Sequence, residues 1–377
     1  MDTGGSLMSQ PWLPWTPWLW PFAFSAPMEP KGIESRWATP NVVVTETQSV
    51  RLRRFGAPEA SAEPILIVAP YAIHGAGIVD FAEGHSLVAT LMAAGLPGLY
   101  VLERRSATPE MRFQTIDDSL ADLNVAVDDV GGRAQLVGVC QGGWLSLAYA
   151  ARFPRKAASL VLAGAPVDTD AGPSGLVQAT RAASPEALQG LASGGDGLIS
   201  GLRMLAFFES AQIQEEDVGS ILQDPETRLG DAYAEWNKAT LDLPGRYWLQ
   251  SAEWLFRENR LARDAFAALG RTIRLKDVTC PLFILAGADD PIAPPAQAFA
   301  ARKLVGTPAA HVHKALAPCA HLSLFLGAQT LRTEWAEIAL FLGAGKAAKP
   351  GVSPPSGSGG SPSGRRSVRP ARKYARE

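Results

Sequence analysis

The segment Gly138-Val139-Cys140-Gln141-Gly142-Gly143 holds a thiol between glycines two residues away on either side. The apolar run "AQLVGV" leads into it, and "GGWLSLAYAARF" leaves it with apolar residues at helical spacing. A strand, a sharp turn and a helix in that order present a nucleophile at an elbow. The turn is tight and the two backbones approach closely, so Gly138 and Gly142 must be small, and Gly143 adds room. A cysteine held there meets a helix N-terminus, whose dipole and free N–H groups favour a thiolate. The backbone N–H of Gln141 is the expected first donor to an oxyanion. The second is expected from the loop "PYAIHGAG", at Tyr71 or Ala72. A lone buried cysteine is the plainer alternative. The glycine spacing, the strand–helix context and the partners downstream argue against it.

Those partners follow in the order acid, then histidine. "LFILAGADDPIAP" is a strand running into a loop that carries Asp289 and Asp290, and "ALAPCAHLSLF" places His321 between a last strand and a last helix. A neutral imidazole there can take the Cys140 proton, and a carboxylate on its far nitrogen fixes the tautomer. Asp168, after an earlier strand, is an alternative acid. His74 lies in the oxyanion loop and is open to substrate contact or to a structural role. His85, His311 and His313 are expected to be structural. Cys280 and Cys319 lack an elbow, and three cysteines far apart lack the paired spacing of a zinc site. No metal is expected, and the sparse cysteines suit a reducing compartment.

The elements that must position these groups can be read from periodicity. From residue 41, strands and helices alternate, which predicts an α/β fold with a doubly wound, mostly parallel sheet. "PILIVAP" and "LYVLE" are short continuous apolar runs, as expected of strands covered on both faces. "IDDSLADLNVAVDDV" reads as a helix. Residues 167–270 read as helical, without buried-strand signal, so the core (41–166 and 271–343) is expected to carry a helical cap insertion.

The two ends differ from this core. Residues 1–40 form a leader rich in Trp and Pro, in which "PWLPWTPWLWPFAF" is too short and too proline-broken for a spanning helix. Residues 344–377 are rich in Gly, Pro, Ser and Arg and are expected to be a disordered basic tail of unassigned partner. The chain of 377 residues has 47% hydrophobic residues and a formal charge of −2, which supports a sizeable core and excludes dedicated nucleic-acid binding by it. No signal-peptide pattern is evident, and a cytoplasmic location is expected.

Taken together, "VGVCQGGW", "VAPYAIHGAGIVDFAEGHSLVATLMAAGLPGLYVLE", "LDLPGRYWLQSAEWLFRENRLA" and "LKDVTCPLFILAGADDPIAP" resemble the polyhydroxyalkanoate synthases and the related intracellular polyhydroxyalkanoate depolymerases. The resemblance covers roughly residues 60–342. It implies an α/β-hydrolase fold with a Cys-type lipase box: Cys140 as nucleophile, Asp290 rather than Asp289 as acid, and His321 as base. It implies a polyester or hydroxyacyl substrate, a granule surface as a partner, a homo-oligomer as an open alternative, and no cofactor, coenzyme A entering only as a thioester substrate.

Direction is mixed. Gly142-Gly143 follows the synthase pattern, whereas Pro291 after the acid and the run "HLSLFLGAQTLRTEW" look more like depolymerases. The leading expectation is a depolymerase-like hydrolase cleaving 3-hydroxyacyl esters or thioesters through an acyl-enzyme. The alternatives are a synthase polymerising 3-hydroxyacyl-coenzyme A and a general esterase or thioesterase. A non-enzymatic granule-binding protein stands last, since the Cys140–His321–Asp290 set is complete.

Overall fold

The computed structural model describes residues 36–58, 62–193, 195–210 and 229–344. Eight strands form one sheet: β1 (Asn41–Glu46), β2 (Val50–Phe55), β3 (Ile65–Val68), β4 (Leu99–Arg104), β5 (Ala134–Val139), β6 (Ala157–Ala163), β7 (Leu282–Gly287) and β8 (Val312–Ala317). Their spatial order is β1-β2-β4-β3-β5-β6-β7-β8. β2 runs antiparallel to both neighbours, and every other pair is parallel. The doubly wound, mostly parallel sheet is therefore the one the sequence predicts.

Period-two alternation sends each central strand's side chains to opposite faces, and both faces are covered. Leu66 and Val68 of β3 pack with Ile116, Leu120 and Leu123 of helix α2 (Ile116–Asp129) and with Trp144 and Leu147 of α3 (Gln141–Arg152). Ile65 and Ile67 join Leu87 and Leu91 of α1 (Leu87–Ala93) and, across the other layer, Trp335 and Ile338 of the closing helix Glu334–Ala344. Thr115 and Asp118 form a capping box that starts α2. The strand order reverses around β3. Loops leaving β3 and β5 therefore diverge and open a crevice at the carboxyl ends of the strands, where such sheets bind ligands.

Between β6 and β7 the chain runs through α4 (Gly175–Ala182), α5 (Pro185–Ser193), α6 (Gly201–Ser210), α7 (Leu229–Lys238), α8 (Gly245–Ser251) and a π turn at Ala252–Arg257. Two ladders of two residues each also occur here, Leu198–Ile199 with Leu243–Pro244 and Ala267–Ala268 with Arg271–Thr272. They are too short to leave a periodic signal in the sequence. The base of this insertion is tied down by Asn259, whose Nδ2 donates to Asp168 Oδ1 at 2.7 Å and Asp170 Oδ2 at 2.9 Å.

Most of the leader and the tail beyond Ala344 lie outside the described residues. The last leader residues pack against the core. Trp37 packs tilted against Phe55 with ring centres 5.5 Å apart, and the Thr39 hydroxyl donates to the buried Asp80 carboxylate at 2.7 Å. No helix among the described residues is long and apolar enough to cross a membrane.

Candidate active site

Cys140 follows β5 and adopts φ 51°, ψ −119°, a region that side chains other than glycine enter only under tertiary constraint. The glycines supply that constraint. A Cβ on Gly142 would lie 1.9 Å from the Val68 carbonyl oxygen, one on Gly138 2.4 Å from Gly143 Cα, and one on Gly143 2.4 Å from Ala165 Cβ. Helix α3 can start this close to β3 and β5 only with hydrogen at all three positions. The Cys140 N–H donates to the Ala163 carbonyl at 2.8 Å, which holds the elbow to β6.

Asp290 and His321 come from the loops after β7 and β8. Asp290 Oδ2 is 2.7 Å from His321 Nδ1, and its Oδ1 accepts the N–H groups of Ile292 and Ala293, each at 2.8 Å. Both side chains are buried. Asp289 is exposed, and Asp168 Oδ1 is engaged by Asn259. Of the three candidate acids, Asp290 is the one brought to His321. Burial alone would lower the His321 pKa, but the Asp290 carboxylate and then Cys140 raise it well above the usual value. Nε2 is buried and makes no hydrogen bond of ordinary geometry. Cys140 is near enough to contribute to the raised His321 pKa.

Of the two candidates for a second oxyanion donor, one has its N–H engaged. The Tyr71 N–H donates to Gln141 Oε1 at 2.9 Å. It is spent, so the expectation narrows to Ala72, which lines the cavity beside Cys140 and Gln141.

That cavity holds about 480 Å³, and Cys140, His321, His74 and Ala72 contribute its floor. Leu176, Leu188, Met204, Trp236 and Trp248 of the insertion line the rest, with few polar groups, among them Arg203 and Asn237. The His74 ring packs tilted against Trp236 with centres 4.1 Å apart, and its Nδ1 is buried without a partner. Burial lowers its pKa to about 4, against a hydrogen bond with the Ala239 backbone that raises it. His85 Nδ1 pairs with the Leu326 carbonyl oxygen at 2.7 Å, and His313 stacks on Phe283, so both are structural. Burial pushes the Cys280 thiol up to about 11. Among the described residues, no group of His, Cys, Asp or Glu is placed to hold a metal ion.

Sequence reasoning missed Tyr247 and the side chain of Gln141. Tyr247 Oη meets Gln141 Oε1 at 3.0 Å across 106 positions, a pairing without local signature.

The family model described as alpha/beta hydrolase fold matches residues 103–328. A poly(3-hydroxyalkanoate) polymerase subunit PhaC from Synechocystis sp. is 31% identical over 279 residues, covering 70% of this chain and 73% of that protein. This chain belongs to the polyhydroxyalkanoate synthase branch of the α/β-hydrolase family. A second PhaC, from Allochromatium vinosum, is 28% identical and spans 67% of this chain and 73% of its own length. A solved hydrolase from Pseudomonas aeruginosa shares the α/β-hydrolase fold with TM-score 0.52, at 16% identity, over 80% of this chain and 98% of its own. As a member of this family the chain is an enzyme, a hydrolase or an acyltransferase. Both PhaC relatives stand on the synthase side, so they favour acyl transfer over the depolymerase-like hydrolysis that the sequence placed first.

Proposed function

We propose that this chain is a synthase-type acyltransferase that moves 3-hydroxyacyl groups from a coenzyme A thioester to the hydroxyl end of a growing polyester. The observation that carries the reading is the buried Asp290–His321 pair, 2.7 Å apart, whose histidine lines the same apolar cavity as the elbow cysteine. Relatedness to the PhaC proteins supplies the substrate class.

Each step balances with groups of this chain. His321 Nε2 takes the thiol proton of Cys140, and the sulfur adds to the thioester carbonyl. The oxyanion is received by the N–H groups of Gln141 and Ala72. Collapse expels the coenzyme A thiolate, which regains the proton from His321 and leaves as a thiol. The acyl group is now a thioester on Cys140, close in energy to the one consumed. A chain-end hydroxyl then attacks, His321 accepts its proton, and the new ester departs as Cys140 is reprotonated. Asp290 steadies the imidazolium throughout. Insertion residues 167–270 serve as a cap whose apolar lining disfavours water as the acceptor. In this reading the protein works in the cytoplasm, at the surface of the polymer granule it makes.

The test is incubation with 3-hydroxybutyryl-coenzyme A, following free thiol and identifying the product, with Cys140→Ala as control. Insoluble polyester that disappears in the variant is expected. Soluble 3-hydroxybutyrate in its place would make the protein a thioester hydrolase. No thiol release would overturn the reading.

A further inference from the structure

The side chain of Gln141 does something that its backbone role does not require. Its Oε1 lies 2.9 Å from the Tyr71 nitrogen and 3.0 Å from Tyr247 Oη. A backbone N–H can only donate, so the atom facing Tyr71 is the amide oxygen, and the Tyr247 hydroxyl must donate to it as well. Both acceptor positions of that oxygen are filled, one by the loop after β3 and one by α8 of the insertion.

The same loop is gripped at two further points. The Leu241 N–H donates to the Ile73 carbonyl at 2.8 Å. Gly75, at φ +57°, has Leu241 so close that a Cβ would lie 2.4 Å from its Cδ1. The Tyr71 and Tyr247 rings are packed 5.3 Å apart. Residues 71–75 are thus held from one side by Gln141 and from the other by residues 241–247. Ala72 follows directly on the anchored Tyr71 nitrogen, so the direction of its N–H depends on that anchor.

We propose that Tyr247, acting through Gln141, is a positioning residue that aims the Ala72 N–H as the second oxyanion donor, so that the oxyanion site is complete only when the insertion is docked. The inference rests on Cys140 as the nucleophile of the proposed function, and not on polyester as the product. It couples the cap to the chemistry: displacement of α8 to admit a long substrate would relax the oxyanion site, and its return would restore it.

The test compares two reactions of the same thiol. Acylation by a p-nitrophenyl ester creates an oxyanion, and alkylation by iodoacetamide does not. Tyr247→Phe removes a single oxygen from a residue that stays buried, and Gln141→Met removes the acceptor. In each variant the p-nitrophenolate burst should slow by about 10–100-fold, while Cys140 alkylation stays at the wild-type rate. Because both act through one contact, the double variant should be no slower than Gln141→Met alone. Equal loss of acylation and alkylation would mean a general collapse of the site and would overturn the proposal. So would an unchanged burst in Tyr247→Phe, or the absence of any burst in a wild-type protein that alkylates normally. Failure to polymerise 3-hydroxybutyryl-coenzyme A with the burst intact would sink the synthase reading and leave this proposal standing.

Discussion

His321 Nδ1 sits 2.7 Å from Asp290 Oδ2, while Asp290 Oδ1 is saturated by the N–H groups of Ile292 and Ala293. The carboxylate is thereby fixed in orientation before it meets the imidazole, and only one of its oxygens is left to choose the histidine tautomer.

Replacing Asp290 by Asn separates those two jobs. The Asn oxygen can still accept from the two backbone N–H groups, but its amide then points a donor at His321 Nδ1 and forces the proton to Nε2, facing Cys140. Thiol release should fall by about 10³-fold or more, with the circular dichroism spectrum unchanged. A loss below tenfold would mean that another group orients the base.

The elbow glycines give a prediction on stability. Gly142→Ala would set a Cβ 1.9 Å from a carbonyl oxygen of β3, and neither backbone can yield cheaply. A loss of about 3 kcal/mol or more is expected, at or above the top of the overpacking range, seen as poor soluble yield and a lower melting temperature. Gly230→Ala, in α7 with nothing within 4 Å of the added Cβ, is the matched control. It should be neutral or gain up to about 1 kcal/mol.

His74 makes stability fall in mild acid. Its folded-state pKa, about 4, lies below the ordinary 6.5. As the pH drops through 6.5 the unfolded chain takes the proton first, so the contribution of His74 is complete above that pH. It is lost progressively down to about pH 4, by at most about 3 kcal/mol. Urea midpoints of wild type and His74→Gln, compared at pH 7 and pH 4.5, isolate this share. The variant should lose less stability between the two pH values. Parallel losses would show that groups other than His74, carboxylates first among them, account for the acid sensitivity.

Asn259 holds φ +53° and ties Asp168 and Asp170 to the Thr169 N–H, which donates to its Oδ1 at 3.1 Å. Asn259→Ala should cost about 2–4 kcal/mol, from unpaired buried groups and from a left-handed conformation that alanine resists. Asn259→Asp should be worse, because it adds a third carboxylate. Limited proteolysis should cut first within residues 167–270 in both variants. Cleavage elsewhere in the core would show that Asn259 does not anchor the insertion.

Much of this site was legible because its determinants are local. The spacing of Gly138, Cys140 and Gly142 announces a turn in which two backbones nearly touch, and that requirement is written in neighbouring residues. Continuous apolar runs reveal strands covered on both faces, since burial on two sides leaves no polar alternation. The acid and the histidine could be placed after their strands, in chain order, for the same reason.

Packing alone decided the rest. Asp289, Asp290 and Asp168 are chemically alike, and family resemblance could rank them, but only the loop after β7 turns one carboxylate toward His321 and leaves another in solvent. Tyr71 and Ala72 were equivalent candidates until Gln141 claimed the Tyr71 N–H. The short ladders and the Gln141–Tyr247 contact join segments tens to more than a hundred residues apart. A hydrogen bond between such segments leaves no periodicity in either, because it depends on how finished elements dock. Sequence alone determined the strand–turn–helix at Cys140 and the layered fold. The tertiary structure decided which carboxylate meets His321 and which backbone N–H and tyrosine meet Gln141, because those choices arise from distances in space that the order of residues does not encode.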